Sequence, residues 1–300
     1  MLHGTIYLER LSLWSPLKAG NMEVAEIGGK KPLKAARNRN RARLVLGIFT
    51  ITLLGSLPAP SVMAGTPVQN PANGEAILQE ARAAIDQVTT DRTKLRQTIA
   101  LLEGNKAQFP TEIRFPLYLA EAYYLLADSS ADAAREFVNF EKTGSYAEEA
   151  LALDPNRAEA HYWHGLFLLR KAEKQGGIRA YVIVRQGIAE LEKVRQSMPT
   201  YDHAGASRVL GLLYCLAPGW SPFGNLDKSI ALGKEATRLA PDYSLNRLYL
   251  ANAYKKRGDK EAAIREYQAI LKASSPRAKN RGEDISEQAR LMLRELGSQG

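Results

Sequence analysis

Few side chains in this 300-residue chain could do chemistry by their type and spacing. His161 and His164 stand three apart, which puts both imidazoles on one helical face, and His203 is the remaining histidine beyond residue 64. Three imidazoles would reach the minimum of a zinc site. His164, however, borders Gly165 at a helix-packing position, where a hydrogen-bonded core histidine is the simpler account, and no metal is expected. Cys215 is the single cysteine. It ends an apolar run with nothing beside it to lower its pKa, so it reads as a small buried hydrophobe rather than a nucleophile. Gly-x-Ser-x-Gly, Gly-Lys-Ser/Thr, His-Glu-x-x-His and Cys-x-x-Cys arrangements do not occur. The expectation is a non-enzyme with no cofactor.

The elements that carry these residues are helices. Apolar residues after Glu75 recur at helical spacing almost throughout. The one β-rich run, "AYVIV" at Ala180–Val184, is short and flanked by helix formers, and is taken as buried helix. Prolines stop successive amphipathic runs at Pro110, Pro155, Pro199 and Pro241, separated by 45, 44 and 42 residues. A small residue follows each by 10 to 12 positions: Ala120, Gly165, Gly211 and Ala251. Small side chains at such points let paired helices approach closely. From small residue to closing proline the units shorten from 35 through 34 and 30 to 25 residues, and the surplus is assigned to the turn inside each hairpin. In the unit that begins at Gly211 this turn is "LAPGWSPFGN", where Trp220 and Phe223 either contact a ligand or brace the loop.

The last unit, Leu245–Pro276, resembles the tetratricopeptide repeat: Leu250-Ala251 and Tyr254 on a first helix, Gly258-Asp259 in the turn, and Ala263, Tyr267 and Ile270 on a second. The expected fold is therefore all-α, a tetratricopeptide-like helical-hairpin solenoid with lengthened intra-repeat turns. It spans residues 75–300 as one domain, with a front helix pair before Pro110 and a capping helix over Asp284–Leu296. First helices of such stacks line a groove. Counting from the small residues, the groove candidates are Leu117, Glu121 and Tyr124; Tyr162, Leu166 and Leu169; Arg208, Leu212 and Cys215; and Leu248, Asn252 and Lys255. Only Arg208, Asn252 and Lys255 could clamp a carboxylate, which favours an apolar helix, peptide or lipid-like ligand over a charged tail. Some of these leucines would instead pack between helices.

The net charge of +9 is concentrated at the front, since residues 1–64 hold nine Lys/Arg against three Asp/Glu and the rest carries +3. The body is thus no strong polyanion binder, and the basic residues Lys272, Arg277, Lys279 and Arg281 lack the interleaved aromatics of a nucleic-acid surface. The front reads as an export signal: "KKPLKAARNRNRAR", then the apolar Leu44–Leu57, then "PAPSVMA" with cleavage expected after Ala64. Fourteen apolar residues fall short of the roughly 20 that span a bilayer, so membrane association is expected only if the leader stays uncleaved. Residues 1–21, before Met22, read as an over-long start or an extended basic region, and residues 65–74 as a flexible leader. An exported or periplasmic location follows as the expectation.

Residues Ala217–Gly224, followed by Asp227-Lys228 opening a helix, resemble the T-component family of TRAP transporters. That resemblance implies an exported helical-repeat accessory protein, a periplasmic solute-binding protein as partner, a homo-oligomer, and an apolar ligand held in a groove or pore. Many members are lipoproteins, whereas no cysteine follows the apolar leader here. Two functions remain open: a scaffold binding a partner protein or apolar ligand, and an oligomeric transport accessory.

Overall fold

A computed structural model describes residues 71–87, 91–128, 133–175, 177–272 and 285–297. The export signal, its cleavage site and the basic positions Arg277, Lys279 and Arg281 lie outside the described residues. The described residues form eleven helices and no strand. In chain order these are α1 (Pro71–Gln87), α2 (Arg92–Lys106), α3 (Arg114–Asp128), α4 (Ala133–Leu153), α5 (Ala158–Gln175) and α6 (Gly177–Ser197). They continue with α7 (Tyr201–Leu216), α8 (Leu226–Leu239), α9 (Ser244–Arg257), α10 (Lys260–Lys272) and α11 (Ile285–Gly297). No described helix is long and apolar enough to cross a membrane.

Consecutive helices pair as hairpins, α1 with α2 through α9 with α10, and each hairpin packs on the next. First helices also meet across units, α1 with α3, α3 with α5, α7 with α9, and α9 with the closing α11. This is the all-helical repeat architecture expected. The helix starts have local causes. The Asp91 carboxylate accepts from the Thr93 and Lys94 amides ahead of α2, and Asn225 accepts from Lys228 N–H ahead of α8. Gly258, at φ 87°, takes the left-handed conformation that ends α9 and admits the two-residue turn into α10.

The spaced small residues are buried contact points. A methyl group on Gly165 would lie 2.9 Å from Leu191 Cγ, so α5 and α6 approach at a distance only glycine allows. At Gly211 the facing atoms are the Ser229 carbonyl and Leu232 of α8, at 3.3 and 3.4 Å. Around this spine an aromatic chain joins several helices: Tyr124 meets Phe140 and Trp163, and Tyr162 meets Trp163 and Tyr201, with centroids 5.0–5.5 Å apart.

Three features differ from expectation. Among the described residues, surplus length forms an irregular loop in the fourth unit alone. In the second and third it extends the helices, so α4 and α6 reach 21 residues each and only one residue separates α5 from α6. Helix formers fill those segments, and extending a helix already docked needs no new nucleation. The "AYVIV" run is helical but only partly buried: Val184 is inside, while Tyr181 and Val182 are exposed, because successive helical residues are about 100° apart and cannot all face one neighbour. Finally, α1 begins at Pro71, inside the segment read as flexible leader; proline suits a first helical turn, and Gly74 packs against the Phe109 ring.

The junction of the third and fourth units is held by a buried ion pair. Asp202, His203 and Ala204 at the start of α7 have φ of 45°, 55° and 62°, a left-handed turn built without glycine. Such backbone costs roughly 1–2 kcal/mol per residue. The turn aims two carbonyls, of Asp202 and His203, at Arg208, which donates to them at 2.9 and 3.1 Å and reaches the Asp202 carboxylate at 2.5 Å. Tyr162 of α5 donates to the same carboxylate at 2.5 Å. Asn246 of α9 donates to the His203 and Ala236 carbonyls, both at 3.0 Å. Arg208 is 6% exposed, so burial disfavours its charge, yet the adjacent Asp202 carboxylate holds its pKa above the ordinary value.

Removing the cation while the carboxylate stays buried should therefore be costly. Arg208→Met is expected to lower unfolding free energy by about 3–5 kcal/mol in urea titration. Pairing it with Asp202→Ala should recover a substantial part, since no unpaired charge then remains. A loss under about 1 kcal/mol for the single variant would show that the ion pair does not hold the junction.

Candidate functional site

Most of the expected groove residues prove to be core. Tyr124, Tyr162, Leu166, Leu212 and Leu248 are each at most 7% exposed, as are Leu117, Leu169 and Cys215. The first helices contact a hairpin partner and a following first helix, so positions adjacent to the small residues face neighbours on two sides rather than an open groove. Glu121 pairs with Arg82 of α1 at 2.7 Å.

The three clamp donors are not brought together on a surface. Arg208 is consumed by Asp202. Asn252 accepts from the Tyr267 hydroxyl at 2.6 Å, and Lys255 pairs with Glu295 of α11 at 2.8 Å. Each satisfies an internal or capping contact.

Trp220 and Phe223, neighbours in one loop, part company. Phe223 is 5% exposed and lies against Tyr181 of α6, ring centroids 5.2 Å apart. Trp220 is 81% exposed. The loop is tied to itself, with Ser221 N–H donating to the Pro218 carbonyl at 2.9 Å and Phe223 N–H to Ser221 Oγ at 3.2 Å. Asn225 N–H returns to the Tyr214 carbonyl of α7 at 3.0 Å. Any Cβ on Gly224 would collide with the Pro218 backbone, so the loop closes tightly.

The Tyr181–Phe223 contact borders a cavity of about 530 Å³ lined also by Arg185, Ile188, Tyr214 and Lys228. Next to it runs an exposed stripe of α6, comprising Ile178 at 84%, Tyr181 at 39% and Val182 at 48%. Ile178, Tyr181, Val182 and Arg185 follow the i, i+3, i+4, i+7 spacing of a single helix face. These α6 residues were missed because the apolar run suggested burial throughout. The available signal was its length: four consecutive large apolar residues on a helix must leave some outside.

The three histidines among the described residues do not converge on one point. His161 places Nδ1 against Glu190 and Nε2 2.9 Å from the Pro155 carbonyl, so both ring nitrogens already have partners within the protein. His164 lies 3.6 Å from Glu148 and 4.0 Å from Glu190, while His203 stacks on Tyr243. Among the described residues no cluster of three or more His, Cys, Asp or Glu could hold a metal ion. The Cys215 thiol is buried, and burial pushes its pKa up, away from a reactive thiolate.

Glu190 links α6 to α5. Burial alone would raise its pKa, but the His164 and His161 imidazoles outweigh it and hold the carboxyl down at about 2, from 4.5. A depressed carboxylate contributes stability that is present above 4.5 and lost as pH falls through about 2. The wild-type chain should therefore lose stability across that interval. Glu190→Gln should flatten that part of a thermal-melting profile, and identical acid slopes would show that the pair contributes nothing.

Comparison with known proteins bears on the fold. Residues 77–179 match the family model described as regulator of microtubule dynamics protein 1-3, a different family from the TRAP-transporter T-components. No match to a curated protein is found in sequence. The chain is similar in structure to a thermophilic TPR protein of Thermus thermophilus, with a TM-score of 0.54 at 15% identity, covering 75% of this chain and 98% of that one. At that identity the likeness concerns architecture alone. The described region is a tetratricopeptide-like helical solenoid.

Proposed function

We propose that the chain is a non-catalytic scaffold that docks a protein partner along the exposed face of α6 and the adjoining α7–α8 loop. The observation that carries this reading is the exposure of Ile178 and Val182, at 84% and 48%, on the face of α6 that carries Tyr181, with Trp220, at 81%, in the loop whose Phe223 closes against Tyr181. Apolar side chains gathered on one exposed face favour association, because burying them recovers about 25 cal/mol per Å². The helical-repeat fold supports a protein-interaction role, since such stacks present rigid faces. The basic and apolar leader supports action after export, in the periplasm or an equivalent compartment.

A second reading, an oligomeric accessory of a TRAP-type transporter handling a small or lipid-like ligand, is supported by the Ala217–Gly224 loop followed by Asp227-Lys228. Native mass spectrometry separates the two, through an oligomer carrying a co-purified apolar molecule or a monomer without one.

The docking face is tested by a photo-crosslinking residue placed at Ile178, with a second at Lys193, an exposed position of α6 outside the stripe. The expected outcome is one dominant adduct in host cells from position 178 and none from 193, abolished by Trp220→Ala. Equal or absent adducts from both positions would remove the assignment. Trp220→Ala itself should change stability by less than about 0.5 kcal/mol, which thermal melting checks.

A further inference from the structure

The cavity beside the exposed stripe has a chemistry of its own. Its lining includes three aromatic rings, those of Tyr181, Phe223 and Tyr214, together with the apolar Ile188 and Ala189. About 530 Å³ is ample for a single substituted ring. Among the described residues, the charged side chains that line it are Arg185 and Lys228, and no carboxylate does.

Neither cation has a carboxylate within hydrogen-bonding distance. Arg185 is exposed and makes no hydrogen bond or ion pair with a described residue. Lys228 donates to the Tyr214 hydroxyl at 2.7 Å, a neutral partner, and its ammonium lies 4.2 Å from that ring's centroid. The carboxylate facing it, that of Glu192, is 3.9 Å away and already accepts from Arg195 at 2.6 Å. An ammonium has three donors and a guanidinium five, so most of the donor capacity at this cavity is unused. From Gly177 to Ala189, α6 contributes Arg179 and Arg185 and no acidic residue.

We propose that this cavity receives an aromatic group bearing one carboxylate, such as the C-terminal aromatic residue of a partner chain or a free aromatic acid. The ring lies against Tyr181 and Phe223, and the carboxylate takes the Arg185 fork with Lys228 as a second donor. A cation is repelled, and a neutral apolar group would desolvate two charges without compensation. A polyphosphate would find only two cations. The wall is preformed, because the loop's internal hydrogen bonds and the Phe223 ring already hold it, so little ordering is lost on binding. The inference rests on the docking reading, naming what enters beside the stripe, and it is tested separately.

Calorimetric titration of the purified chain with N-acetylphenylalanine is expected to give a dissociation constant of about 0.1–1 mM. N-acetylphenylalaninamide, which lacks the charge, and N-acetylalanine, which lacks the ring, should each bind at least about tenfold more weakly. Arg185→Gln, at an exposed position that leaves the fold intact by circular dichroism, should weaken the acid about tenfold and leave the amide unchanged. Lys228→Gln should act in the same direction. Naphthoate and a Gly-Gly-Phe tripeptide distinguish the sources: tighter binding of the tripeptide than of N-acetylphenylalanine indicates a chain terminus, and tighter binding of naphthoate a free acid.

The proposal is overturned if the acid shows no binding up to about 10 mM, if the amide matches it, or if Arg185→Gln leaves its affinity unchanged. Crosslinking from position 178 retained without probe binding removes the cavity alone. Probe binding retained without crosslinking removes the docking stripe alone.

Discussion

A single carboxylate, that of Asp202, organises the middle of the stack. Tyr162 from α5 and Arg208 from α7 both donate to it, while Asn246 from α9 ties the adjoining His203 carbonyl to the α8 terminus. One polar cluster thus binds three successive units. A buried ion pair of this kind adds little net stability against an apolar substitute, because desolvation offsets much of the Coulomb gain. Its effect is geometric. The left-handed turn at Asp202–Ala204 is unfavourable in isolation, and the Arg208 guanidinium makes it tenable by donating to two carbonyls at that turn. The turn then sets where α7 leaves the third hairpin.

With α7 placed, the position of its following loop relative to α6 is determined. The Tyr214 carbonyl accepts from Asn225 N–H, which pins the loop's end, and the Phe223 ring closes against Tyr181. The close approach at Gly187, whose added methyl would sit 3.0 Å from Leu169, holds α6 against α5. Extra chain length in the third unit therefore emerges as a rigid helical extension with an apolar outer stripe. Extra length in the fourth emerges as a loop that covers part of that extension and leaves Trp220 outside. The candidate binding region is a consequence of two different solutions to the same surplus of residues.

Much of the architecture was legible in the order of residues. The Pro110, Pro155, Pro199 and Pro241 spacing and the small residues that follow them mark the hairpins, because helix termination and close helix approach are local requirements with few residue types that satisfy them. The candidate site was legible only in part. Arg208, Asn252 and Lys255 share donor chemistry in sequence, but each is held by a side chain remote along the chain: Asn246 accepts from Arg208, Glu295 accepts from Lys255, and the Tyr267 hydroxyl donates to the Asn252 side-chain carbonyl. Asp202, the other partner of Arg208, is close in sequence, and the left-handed turn that brings the two together hid the pairing.

The amino-acid sequence by itself determined the helical class and the hairpin period, since periodicity and small-residue placement act through neighbours a few positions apart. Only the tertiary structure decided which apolar residues stay outside. Ile178 and Val184 are alike in sequence, yet one is 84% exposed and the other 2%, because a helix's two sides differ only by what packs on them. Likewise Trp220 and Phe223 belong to one short loop, and their opposite fates follow from where α6 stands. Long-range packing supplies that information, and it has no local signature for a single chain to display.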